Sequence, residues 1–289
     1  MQESRNITKK SASNLALAFI MLPPEKRDAM SALYAFCREV DDVADEDSVL
    51  VETRRAQLAA CRSDIRRACE GGVPEFAVNR EFQPVIKKFG LRYRLFDELI
   101  QGCEMDLDTL RYGTMEALEK YCYHVASVVG LLSIEIFGYE NKACRDYALY
   151  LGKALQLTNI LRDVKNDAAR GRIYLPLDAL KQFNVTEAEI LRGEYSHRYR
   201  ALAEHIAARA RAFYELARLT LPPEDRRAMV AAELMGAVYW KLLLKLERRQ
   251  FDVFGDAPVR LSKLHKLALI LTAWLRFKLG STRANYGAA

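Results

Sequence analysis

Apolar side chains recur at steps of three and four along most of the chain, the period of a helix that buries one face. After Pro23-Pro24-Glu25, the residues Ala29, Met30, Leu33, Phe36, Cys37, Val40 and Val43 follow this rhythm. Proline opens such a helix readily, because a first-turn N–H has no intrahelical partner to lose. Farther on, Leu157, Ile160, Leu161 and Val164 form an apolar side, while Gln156, Asn159, Asp163 and Asp167 form a polar stripe. Ala, Leu, Arg, Glu and Lys fill segment after segment, and neither β-branched alternation nor Asn-Gly or Asp-Gly hairpin turns interrupt them. The spacing predicts helices over 24–46, 49–70, 81–89, 92–107, 115–137, 140–167, 176–182, 186–192, 197–219, 224–249 and 261–279. No Pro-, Gly- or Ser-rich stretch is long enough to be a linker. The expectation is an all-α bundle, one domain over residues 1–289.

Two of these predicted helices carry acidic pairs. Asp41 and Asp45 end the first, and Asp163 and Asp167 lie on the polar stripe, each pair four positions apart and so stacked on one helix face. A solvated face often carries such a pair, and one alone would mean little. Two pairs facing one cavity would suit Mg²⁺ holding a diphosphate, since a hard cation takes a few carboxylate oxygens and leaves its other positions to phosphate and water. Asn159 and Gln156 strengthen this reading, because a merely solvated stripe would more usually hold compensating Lys and Glu.

Composition narrows the alternatives. With 51% hydrophobic residues in 289, the chain can bury a large core. Six scattered cysteines without a Cys-x-x-Cys pair read as small core residues of a reduced cytosolic protein, and four histidines without ligand spacing argue against zinc. No nucleophile elbow, phosphate-binding Walker loop or dinucleotide fingerprint occurs. The net charge of +6 is spread among acids and accompanies no nucleic-acid module, so nucleic acid is not an expected partner. Between Leu261 and Leu279, an apolar run flanked by Lys263, Lys266, Arg276 and Lys278 is too short to span a bilayer. A buried terminal helix is the commoner case. The alternative is an interfacial helix with Trp274 at headgroup depth, which would add peripheral contact at the inner face of the membrane to a cytoplasmic location.

The run from Tyr34 to Glu46 (YAFCREVDDVADE) and that from Gln156 to Asp167 (QLTNILRDVKND), continuing into Arg170-Gly171-Arg172-Ile173-Tyr174-Leu175-Pro176, resemble the paired aspartate signatures of the squalene and phytoene synthases. The likeness extends from Ser13 to about Lys266. Glu104-Met105-Asp106-Leu107 and Val128-Val129-Gly130-Leu131-Leu132-Ser133 most resemble the bacterial branch that forms presqualene diphosphate for hopanoid biosynthesis.

The resemblance implies an isoprenoid synthase fold with a central cavity and head-to-head prenyl transfer between two farnesyl diphosphates. Two or three Mg²⁺ ions would be held by Asp41, Asp45, Asp163 and Asp167, with Asn159 assisting. Arg38, Arg162 and Arg172 would help hold diphosphate, although each has a motif aspartate as an alternative partner. Arg260, Lys263 and Lys266 align more loosely with basic residues near a second diphosphate. Tyr121 matches a proposed proton-transfer tyrosine, yet an ordinary phenol is a poor base at neutral pH, so released diphosphate is an equal candidate. Tyr239 matches a substrate-side tyrosine. Gln156, Ala126 and Gly130 would border the substrate. By spacing alone, Ala126 and Gly130 read better as a small-residue face for close helix packing. Phe19, Phe36, Val129, Leu132 and Leu155 are the candidate cavity wall, needed because water would quench a carbocation.

The family also includes squalene, dehydrosqualene and phytoene synthases. NADPH is not expected, although lack of a dinucleotide fingerprint does not settle it, and no membrane anchor is expected after residue 280. Downstream isoprenoid enzymes would be the natural protein partners. Family members that act as non-catalytic assembly factors would be expected to lose motif aspartates, and here both pairs are intact.

Overall fold

The computed structural model describes residues 2–10, 18–262, 265, 268–272, 275, 284, 286 and 287, and among these the regular elements are helices. They are α1 (Gln2–Lys10), a 3₁₀ turn (Phe19–Met21), α2 (Pro24–Asp45), α3 (Val51–Cys69), α4 (Ala77–Phe89), α5 (Tyr93–Asp108), α6 (Met115–Cys122), a π turn (Tyr123–Ser127), α7 (Val128–Phe137), α8 (Ala143–Ala169), α9 (Leu177–Gln182), α10 (Glu187–Leu191), α11 (His197–Thr220) and α12 (Val230–Arg248). One contiguous apolar core runs through them. The 27-residue α8 is its axis, with α11 packed along it and α7 and α12 also against it.

The expected helices from 24 to 249 are present, with four differences, of which the first two have tertiary causes. α4 begins at Ala77, ahead of the predicted 81. The Asp64 carboxylate on α3 accepts the backbone N–H groups of Glu75 (2.6 Å) and Phe76 (3.2 Å) and the Asn79 amide (2.8 Å), capping α4 from another helix. α12 begins at Val230, behind the predicted 224, because Asp225 is used elsewhere. Its carboxylate accepts from Glu140 N (2.8 Å) and Asn141 N (3.0 Å), fixing the approach to α8. The predicted continuous helix over 115–137 contains the π turn, and α1 was not anticipated.

Of the predicted helix over 261–279, residues 265, 268–272 and 275 are helical. Leu269 and Ile270 pack on the core, whereas Leu271 (55%) and Leu275 (45%) are exposed, so the described part of this segment is buried on one face only. Trp274, Lys263, Lys266, Arg276 and Lys278 lie outside the described residues. Among the described residues no helix is long and apolar enough to cross a membrane.

Two loops are joined beside the ends of α5 and α8. A single parallel bridge pairs Arg111 with Ile173, Leu177 N donates to Tyr112 O (2.8 Å), and Arg111 Nη1 donates to Gly171 O (2.7 Å). Gly171 is left-handed (φ 73°), which turns the chain back after α8 and lets Arg172 N donate to Asp167 O at 2.9 Å.

Candidate active site

The two aspartate pairs occupy the C-terminal turns of α2 and α8, and neither last turn contains a basic residue. A helix C-terminus carries partial negative charge, so acids placed there add to the field that cations would offset. Arginines supply part of that offset. Arg170 ion-pairs with Asp45 (3.0 Å) and Asp47 (2.8 Å), Arg172 pairs with Asp45 (3.1 Å), and Arg162 grips Asp163 with two nitrogens (2.8 Å for Nε). Arg38 reaches Asp42 at 2.6 Å and Asp41 at 3.5 Å. Both readings of the arginines, diphosphate partner and aspartate partner, therefore remain compatible.

Asp106, on α5, links the two motifs. Its carboxylate accepts hydrogen bonds from Tyr174 Oη (2.7 Å) and Tyr121 Oη (2.9 Å), and the rings of Tyr112, Tyr121 and Tyr174 lie against one another. Arg172 touches Asp45 directly, and its charge acts on Asp106 and Asp167. Asp41, Asp45, Asp106, Asp163 and Asp167 thus share one electrostatic neighbourhood.

Burial, with repulsion from Asp45, pushes the Asp41 carboxyl up to about 6, although its side chain is 54% exposed and water tempers the effect. Burial and repulsion from Asp163 push Asp167 up to about 7. Burial raises Asp106 against the pull of its two tyrosines. These groups lack enough positive charge. Asn159 sits beside them with its Oδ1 buried and unpartnered, while its Nδ2 donates to Gln156 Oε1 at 3.3 Å. An orphaned oxygen next to under-neutralised carboxylates suits a hard cation. Among the described residues, no three His, Cys, Asp or Glu converge on one point. The donor set therefore fits ions that complete their shells with phosphate oxygens and water, as Mg²⁺ does, and not a closed protein cage.

These raised carboxyls have a measurable consequence when divalent cation is withheld. A carboxyl whose folded pKa exceeds its unfolded value binds its proton more tightly in the folded chain, so its stabilising contribution is complete below about pH 4 and is lost as pH rises. For Asp41 and Asp167 the loss runs through about 6 and about 7. Without divalent cation, Asp167→Asn is expected to be more stable than wild type at pH 8, by about 2 kcal/mol after solvent screening, and the gap should close toward pH 4. Thermal melts across that range measure it; a variant less stable at pH 8 would contradict this electrostatic reading.

Beside Asn159 lies a cavity of about 260 Å³ with a predominantly apolar lining. α8 contributes Tyr147, Ala148, Leu151, Gly152 and Leu155 before the polar Gln156 and Asn159, and α12 contributes Ala231, Ala232, Met235 and Tyr239. Tyr239 also partners Arg162, which connects the cavity to Asp163. Ala126 and Gly130 both line the cavity, so the groove reading has a physical basis. The packing reading holds as well: a Cβ on Gly130 would lie 3.0 Å from the Ala148 carbonyl oxygen.

Phe19, Val129 and Leu155 line the wall as expected, whereas Phe36 and Leu132 do not. Phe36 packs edge-on against Phe96 (5.3 Å) in a cluster with Phe82, and Leu132 is fully enclosed. Tyr121 is also away from the cavity, with its hydroxyl engaged to Asp106. Burial raises that hydroxyl well above 10, so it donates and holds its proton. Arg260 is exposed, and its backbone carbonyl accepts Lys245 Nζ.

The reading by spacing missed Asp106, Tyr112, Tyr174 and Arg170 as site residues. Asp106, Arg170 and Tyr174 stood inside quoted motifs, but their partners, Tyr174 for Asp106 and Asp45 and Asp47 for Arg170, come from distant parts of the chain.

Residues 8–265 match the squalene/phytoene synthase family model. A presqualene diphosphate synthase of Rhodopseudomonas palustris is 36% identical over 260 residues, covering 90% of this chain and 92% of that protein. A 15-cis-phytoene synthase of Synechococcus elongatus is likewise 36% identical, over 267 residues, covering 88% and 85%. A dehydrosqualene synthase solved in complex with ligand superposes with a TM-score of 0.84 at 29% identity, covering 96% of this chain and 95% of that one. Squalene synthase HpnC from Alicyclobacillus acidocaldarius gives 0.78 at 28%, covering 86% and 93%. By sequence, by fold and by its paired aspartates, this chain belongs to the squalene/phytoene synthase family of head-to-head isoprenoid prenyltransferases.

Proposed function

We propose that the protein condenses two farnesyl diphosphates into presqualene diphosphate with release of diphosphate, without NADPH, for squalene and hopanoid synthesis. The observation that carries this reading is an apolar cavity whose polar end, at Gln156 and Asn159, adjoins the aspartate pairs. A prenyl chain belongs in the first and a diphosphate beside the second.

Asp41, Asp45, Asp163 and Asp167, with Asn159, would hold Mg²⁺, which when bound neutralises the diphosphate and makes it a better leaving group. Arg38, Arg162 and Arg172 orient the phosphate oxygens through guanidinium forks. The cavity wall, including Ala126, Gly130 and Tyr239, keeps the donor chain from water while its allylic C1–O bond breaks. The C2–C3 double bond of the second farnesyl chain then attacks C1, and loss of a proton closes the cyclopropane. Tyr121 is assigned a positioning role, holding Asp106 through its donated hydrogen bond. The departing diphosphate is the assigned proton acceptor, since that phenol keeps its own proton.

The Synechococcus elongatus relative favours a second reading, phytoene synthesis from longer chains. Purified protein incubated with Mg²⁺ and either farnesyl or geranylgeranyl diphosphate, with and without NADPH, separates the two by mass spectrometry of products. Presqualene diphosphate accumulating regardless of NADPH is expected. NADPH-dependent squalene, or preferential phytoene, would replace the proposal, and no turnover at all would favour a non-catalytic binding role.

A further inference from the structure

The cavity wall farthest along α8 from the aspartates includes Tyr147, which belongs to a cluster that the proposed reaction does not use. Tyr147 of α8 lines the cavity, and its hydroxyl donates to Glu233 Oε1 of α12 at 2.9 Å. The hydroxyl of Tyr286, near the C-terminus, donates to the same oxygen. Both tyrosines are almost fully enclosed, at 0% and 1% exposure, so neither hydroxyl can turn to water instead.

The backbone is shaped around the Tyr286 ring. A Cβ on Gly236 would lie 2.5 Å from Tyr286 Cε1, so glycine at 236 makes the slot that the ring fills. On the other side, the ring packs against Tyr214 with centroids 5.8 Å apart. Gly287 is left-handed (φ 71°), and a Cβ there would meet the Tyr214 carbonyl oxygen at 2.9 Å. Ala284 also packs on the core. Tyr286 and Gly287 are therefore seated in a fitted groove between α11 and α12.

Lining residues on α8 run from Asn159 back to Tyr147, about 18 Å at 1.5 Å per residue. α12 runs in the same direction as α8, with Tyr239 near Arg162 and Glu233 beside Tyr147. Any isoprene unit added to a bound chain must find room at that end.

We propose that Tyr286 determines prenyl-chain length, by clamping Glu233 and through it the Tyr147 ring across the distal end of the cavity. The inference rests on the prenyl-binding reading of the cavity, and its test separates the two. Tyr286→Ala and Gly236→Ala disturb the same contact from opposite sides, and Tyr286→Phe keeps the ring but removes the hydroxyl. Two ratios are measured for each folded variant: affinity for geranylgeraniol over farnesol, and kcat/KM for the corresponding diphosphates. Tyr286→Ala and Gly236→Ala are each expected to shift the alcohol ratio toward the twenty-carbon chain by about tenfold, and Tyr286→Phe by less. The diphosphate ratio should follow. An unchanged alcohol ratio, or equal weakening of both alcohols, overturns the proposal. If wild type turns over neither diphosphate, the proposed reaction fails, while the alcohol ratio still decides the role of Tyr286. Should Tyr286→Ala not fold, Gly236→Ala and Tyr286→Phe decide it.

Discussion

Asp41→Asn and Asp163→Asn are each expected to lower kcat/KM for farnesyl diphosphate by about a thousandfold or more, with far-UV helicity unchanged. The substitution keeps the shape and removes the charge. Asp41 is 54% exposed and contributes little packing, and Asp163 trades a two-nitrogen contact with Arg162 that Tyr239 still partners. The loss should therefore fall on diphosphate chemistry and not on the bundle. Asp42 is the internal control. It adjoins Asp41 in sequence but is engaged by Arg38 at 2.6 Å and lies one position off the face shared by Asp41 and Asp45. Asp42→Asn should reduce kcat/KM by no more than about threefold, the scale of losing one exposed ion pair. Steady-state kinetics at saturating Mg²⁺ with circular dichroism on the same samples tests the set. Near-wild-type turnover by Asp41→Asn or Asp163→Asn, or unfolding of either, would remove these residues from the proposed metal site.

Gly152→Ala is expected to cost about 3 kcal/mol of stability, lowering Tm by roughly 5–10 °C. α8 crosses the π turn here so closely that a Cβ would stand 2.5 Å from Ser127 Cα and 2.7 Å from Ser127 N. Those are backbone atoms, and Ser127 is held further by its hydroxyl bond to Leu149 O at 2.7 Å. Relief requires moving a helix, not a side-chain rotation. Gly130→Ala meets only the Ala148 oxygen at 3.0 Å and should cost less. Differential scanning calorimetry gives the order, and a Gly130 variant weaker than the Gly152 variant would show that the crossing yields more easily at Ser127.

What could be read in advance divides along sequence distance. The α2 and α8 stripes and the stacking of Asp41 with Asp45, or Asp163 with Asp167, follow from helical period alone, and the family motifs reinforced them. The start of α4 did not, since Asp64 caps it from another helix. Asp225 shows the same limit, because its place looked helical while its carboxylate serves the approach to α8. Tyr174 reaches Asp106, and Arg170 reaches Asp45 and Asp47, only in the tertiary fold, where the loops after α5 and α8 are bridged. Phe36 shows the converse. Its apolar position was correctly read as buried, but which of two buried spaces it would face depended on Phe82 and Phe96.

α8 carries aspartates at one end and, toward the other, the cavity-lining Tyr147, on an uninterrupted stretch of helix. One turn of that helix advances about 5.4 Å, close to the length of an extended isoprene unit. Moving the blocking aromatic from Tyr147 by a single turn, toward Cys144 or toward Leu151, would therefore lengthen or shorten the bound chain by about one five-carbon step while leaving the leaving-group machinery in register. If Tyr147 sets the chain limit as proposed, helical pitch would make product size in this scaffold a quantised property, open to change by two substitutions and no insertion.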